Sequence, residues 1–216
     1  MVTVITDLRG FLFKTMERNM KDLDKVSTAY ELKQFEGLCD RAKMFVFDWL
    51  LSNENSDACI NAICNSDILN NKLSPIEQIF NVCYHRYVST GLARRDIDGV
   101  PLAIVFMTEC VAQKEISVQV GTKGTFKEVI YIADFVIDFA LYPSIKNLKY
   151  VIELDGHEYH SDKKQVNSDY EREQNLQAAG YKVIRFTGSQ IYNKPFECVE
   201  KLITIIVQDI KKTLGD

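Results

Sequence analysis

Between Tyr131 and Phe186 the chain reads YIADFVIDFAL, then VIELDGHEYH, then a polar stretch, then GYKVIRF. The first, second and last of these segments are β-branched and aromatic enough to be strands. Two of them nevertheless carry carboxylates, and two of the chain's three histidines follow directly. An ionised carboxylate among apolar side chains is costly unless something pairs with it. A divalent metal ion is the simplest partner that would offset several of these carboxylates at once, which argues for a metal-dependent site.

The rest of the pattern limits the architecture. Residues 1–70 carry apolar positions at helical spacing, as in Leu38, Ala42, Phe45 and Trp49, and are expected to form a helical N-terminal region. From residue 71 to 216 a second domain is expected. Ser74-Pro-Ile-Glu77 is a helix start, with Ser74 at the cap, Pro75 at the first position and Glu77 completing a capping box. A second apolar helix is expected over 101–113, and strands over 116–120, 128–139, 150–154 and 181–186. A polar helix over 163–179 precedes Gly180, and Pro195 opens a final helix with an apolar stripe. This order describes an α/β (α+β) core with a mixed four-stranded sheet flanked by helices, not a repetitive βαβ array.

Period-two alternation puts Asp134, Val136 and Asp138 on one face, and Val151, Glu153 and Asp155 on one face of the next strand. Asp134 and Asp138 are rivals for a position beside Glu153. The 14 residues between Asp138 and Glu153 suit a short turn-linked crossing, which favours Asp138. Carboxylates gathered in this way repel one another unless a cation sits between them. An all-oxygen ligand set favours Mg²⁺ or Mn²⁺ over zinc. Hydrolysis at phosphorus is the chemistry that most often needs such a site.

The series Glu77, IDF at 137–139, ELDG with a following histidine at 153–157, Asp169-x-x-Arg172-x-x-x-Leu176 and GYKVIRF at 180–186 resembles the PD-(D/E)xK restriction-endonuclease-like superfamily. Within it, the very-short-patch-repair-endonuclease-like branch is the most similar. The resemblance covers about residues 73–207 and leaves the first 70 outside it. It implies that Asp138 and Glu153 bind the metal, with Asp155 as a further metal-holding acid and Glu77 reaching the metal, often through water. Asp155 stands where the superfamily pattern has lysine, so His157, His160 or the metal's own hydroxide takes the role of general base. Arg172 is implied to steady the scissile phosphate, with His160, Lys163, Lys164 and Gln174 as further substrate contacts.

The expected function is thus a metal-dependent endonuclease acting on DNA. A nuclease-like binding module without catalysis, and a ribonuclease or toxin-like effector, are the alternatives. A net charge of −4 argues against coating nucleic acid by bulk electrostatics, although local cations permit contact. The six scattered cysteines have no zinc-like spacing and are expected to be free thiols in a reducing compartment. The lack of an apolar run of membrane-spanning length and the early charges at the N-terminus give a cytoplasmic expectation. The N-terminal helices are candidates for substrate selection, a protein partner or a homodimer contact.

Overall fold

A computed structural model describes residues 33–51, 69–89, 108–122, 124–156 and 163–215. The chain divides into two compact units, residues 1–82 and 83–216. The first holds α1 (Lys33–Glu36), α2 (Asp40–Leu51) and the start of α3 (Pro75–Ser89). On α2, Ala42, Val46 and Trp49 recur at helical spacing and are all buried. Glu77 Oε2 accepts from the Ser74 backbone N–H at 2.7 Å, one half of the expected capping box. Buried Gln78 is satisfied at both ends of its amide. It accepts from the Cys39 N–H at 2.6 Å and donates to the Leu73 carbonyl at 2.8 Å.

The second unit contains β1 (Cys110–Thr122), β2 (Thr125–Asp138), β3 (Lys149–Asp155), α4 (Lys163–Ala178), β4 (Lys182–Thr187), α5 (Gly188–Asn193) and α6 (Pro195–Leu214). The sheet order is β1-β2-β3-β4. The first two pairings are antiparallel and β3–β4 is parallel, with α4 on the connection between them. The mixed four-stranded sheet flanked by helices is an α/β fold consistent with the expected restriction-endonuclease-like core.

Residues 110–113, expected in a helix, open β1 instead, and 101–107 lie outside the described residues. The cause is pairing: Cys110, Val111 and Ala112 bond to Ile137, Val136 and Phe135, and a sheet partner overrides an apolar run with no strong period of its own. The short helix α5 was not expected. Thr187 and Gln190 close its start with a reciprocal capping box.

Each face of the sheet has its helix. Leu176 of α4 packs in one cluster with Ile116, Val118, Ala133, Val136 and Val151. On α6, Cys198, Val199, Leu202, Ile203, Ile206, Val207 and Ile210 make the buried stripe that the sequence pattern predicts. Its Asp209 accepts from Tyr150 Oη at 3.0 Å and from Lys182 Nζ at 2.8 Å, tying α6 to β3 and β4. The β1–β2 turn needs its glycines. Gly124 has φ +88°, and a Cβ on Gly121 would overlap the Thr125 carbonyl oxygen.

Candidate active site

The register between β2 and β3 decides which acids meet. Phe135 pairs with Ile152, Val136 with Val151, Ile137 with Tyr150 and Asp138 with Lys149. Beyond the Phe135–Ile152 end of this ladder lie Asp134 and Glu153, and Asp134 is close enough for its charge to act on the Glu153 carboxyl. Asp138 stands instead at the base of the connection, four positions further along β2, roughly 13 Å from Asp134 at the strand rise. The expected convergence of Asp138 and Glu153 is therefore corrected to Asp134 and Glu153. The connection itself explains the shift. It runs from 139 to 148 through a chain of tight turns, with Tyr142 N–H donating to Phe139, Ile145 to Tyr142 and Leu148 to Ile145. Most of the spacing after Asp138 is thus turn, so Glu153 finds its partner further back along β2. Asp138 has a local task there: its Oδ1 accepts from the Ala140 backbone N–H at 2.9 Å.

The sheet is also distorted at this point. The β1–β2 ladder pairs Ala112 with Phe135 and Lys114 with Ala133, but not Gln113 with Asp134. Gln113 has φ +50°, rare for a residue with a side chain. Simple alternation fails across the break. Ala133 shares a cluster with Val136, although an odd and an even position should face opposite ways. The register is the same on both sides of the break, so no residue is inserted, and the unpaired position falls at an acid of the site.

Asp134 Oδ2 accepts from the Leu154 backbone N–H at 2.7 Å, which fixes the carboxylate against β3. Glu153 is only 7% exposed, among the most buried charged residues described. Burial pushes its carboxyl up to about 7, with Arg172 working against that shift and the charges of Asp134 and Asp155 adding to it. Arg172 Nη2 meets Glu153 Oε1 at 2.9 Å and also donates to the Ile132 carbonyl. Its guanidinium lies over the Tyr131 ring at 5.8 Å from the centroid. Tyr131 Oη in turn accepts from Asn175 Nδ2 at 2.8 Å. Arg185 is in parallel register with Glu153 on β4. It reaches Asp155 Oδ1 at 3.7 Å and Glu173 Oε2 at 3.4 Å.

Of the residues singled out from the sequence, the structure gathers Glu153, Asp155 and Arg172. Gln174 is exposed on α4. Glu77 belongs to the first unit. His157 and His160 lie outside the described residues, as do the side chains of Lys163 and Lys164. Arg185 was overlooked in the sequence, although an arginine between buried Ile184 and Phe186 is itself a signal.

A restriction-endonuclease-like core implies a divalent metal, and the donor chemistry can be tested against it. Among the described residues no three His, Cys, Asp or Glu side chains converge as a ready metal cluster. Mg²⁺ does not require one, since one or two carboxylates plus waters and substrate phosphate oxygens suffice. Two neighbouring carboxylates, one of them buried and hard to ionise, fit that requirement.

Residues 113–206 match the model of REase_MTES_1575, a restriction-endonuclease-like family. The match spans β2, β3, α4, β4 and α5 and covers less than half of the chain. It supports the PD-(D/E)xK superfamily but not the very-short-patch-repair-like branch. Comparison with curated proteins and with solved structures gives no significant match. No helix among the described residues is long and apolar enough to cross a membrane.

Proposed function

We propose that the second unit is a metal-dependent nuclease acting on DNA, with Asp134 and Glu153 as its metal-holding pair. The observation that carries this reading is the closeness of these two acids, with Asp134 bonded to the Leu154 N–H beside Glu153 and its charge acting on the Glu153 carboxyl, inside the stretch that matches a restriction-endonuclease-like family. A bound Mg²⁺ would supply an activated water and neutralise charge on the leaving oxygen. The chain's own residues prepare the site. The Leu154 N–H orients Asp134, and Arg172 holds Glu153 in one rotamer until a cation takes its place. Asp138 is left to cap the turn after β2.

The test is digestion of plasmid, single-stranded DNA and total RNA by the purified chain, with Mg²⁺ and with EDTA. The expected result is Mg²⁺-dependent cutting of DNA that disappears in Asp134→Asn and in Glu153→Gln, with circular dichroism unchanged. Normal cutting by both variants would sink the assignment. Cutting confined to RNA would keep the chemistry and change the substrate.

A second reading, a nuclease-like binding module without catalysis, has one observation in its favour. Arg172 already neutralises Glu153, and Asp155 faces Arg185 where the superfamily pattern has lysine. Calorimetric titration with Mn²⁺ separates the two, because a module of this kind has no use for the cation and should release no binding heat.

A further inference from the structure

The two arginines beside the acid pair are held very differently, and this difference assigns them different work. Arg172 bonds to the Ile132 carbonyl and to Glu153 and lies against Tyr131, whose hydroxyl is itself held by Asn175. Both of these hydrogen bonds leave from Nη2, so that one nitrogen ties Arg172 to β2 and to Glu153 at once. Arg185 is held more loosely. Its two ion pairs, at 3.7 and 3.4 Å, are both longer than ordinary charge-assisted hydrogen bonds. Its Nε is buried and makes no hydrogen bond. That Nε is the atom that faces Glu173 Oε2 at 3.4 Å, so an acid holds it nearby without a well-formed hydrogen bond. The side chain is still 29% exposed, enough for a ligand to reach its tip. Parallel pairing with Glu153 sets Arg185 directly beside the metal-holding acid on the adjoining strand.

We infer that Arg185 is the residue that engages a phosphate of the nucleic-acid substrate, and that Arg172 is a positioning residue for Glu153. This rests on the nuclease reading for its substrate class. A phosphate offers two oxygens in the geometry that Nε and Nη of one guanidinium take together. Asp155 and Glu173 keep the guanidinium aimed without saturating it, and they compete with the phosphate for it. Weakening that competition should therefore strengthen binding, an effect that a merely damaged fold cannot imitate.

The experiment uses the full chain and a fluorescent double-stranded oligonucleotide in EDTA, so that binding is read without cleavage. Arg185→Gln is expected to weaken binding about tenfold and to lower the slope of log K against log salt by about one. Arg185→Lys should recover part of the loss. Glu173→Gln should bind more tightly than wild type, and more tightly than Glu171→Gln, an exposed acid on the same helix that serves as the charge control. With Mg²⁺ present, Arg172→Gln should lower kcat more than it raises KM, whereas Arg185→Gln should raise KM.

Unchanged binding by Arg185→Gln overturns the inference. So does a Glu173→Gln variant no tighter than Glu171→Gln, or an oligonucleotide that wild type does not bind. A chain that binds through Arg185 yet never cuts leaves this inference standing and removes the nuclease reading instead.

Discussion

Glu153→Gln is the substitution whose consequence can be worked furthest. Burial moves the Glu153 carboxyl from an ordinary 4.5 to about 7, against the pull of Arg172. The folded state therefore holds this proton more tightly than the unfolded chain does. The carboxyl's contribution to stability is fully present below about pH 4.5 and is lost as pH rises through 7. At 1.36 kcal/mol for each unit of separation the loss is about 3 kcal/mol, a ceiling that local relaxation around Arg172 will reduce. Glutamine has nearly the same shape and does not titrate. Urea denaturation of both proteins from pH 4.5 to 8.5 should show wild type falling by up to that amount relative to the variant, while other titrating groups cancel. Adding saturating Mg²⁺ at pH 8 should restore wild type and leave the variant unchanged, because a cation favours the ionised carboxylate. A stability difference that stays flat with pH to within about 0.5 kcal/mol, the usual error of such comparisons, would refute the reasoning that Glu153 is buried at a cost.

Three further perturbations test other parts of the structure. Asp138→Asn should retain metal-dependent cleavage where Asp134→Asn loses it, at a cost of about 1 kcal/mol for the weakened turn bond, read by cleavage assay and urea midpoint. Arg172→Met should destabilise by about 2 kcal/mol at pH 8 and by less at pH 5, where protonation relieves the abandoned Glu153. That figure sits below the value for breaking a fully buried pair because the Arg172 side chain is a quarter exposed. Gly121→Ala should destabilise by more than 1 kcal/mol in thermal unfolding, since its Cβ has no room beside the Thr125 carbonyl.

Much of the architecture is already present in residue order. The α6 stripe follows from the spacing of Val199, Leu202, Ile203, Ile206 and Ile210, and these positions are buried. Strands β2, β3 and β4 begin and end within three residues of where alternation and turn residues put them. Local physics is enough in these places, because one chain segment and its apolar face define each element. The same alternation misled at the site. It identifies Asp134 and Asp138 as equivalent, and counting residues to Glu153 then selects the wrong one. A count cannot tell turn from strand, and the 139–148 connection is nearly all turn.

What the sequence by itself determined is most of the set of elements, and the acids that its apolar strands carry, in an order consistent with a restriction-endonuclease-like core. Only the tertiary structure decided which acid of β2 lies near Glu153, and which arginine bonds to it and which reaches the neighbouring acids. Those outcomes depend on strand register and on the seating of α4, where one step along a ladder exchanges one partner for another. Such choices are settled by contacts between segments far apart in the chain, and no local pattern of residues records them.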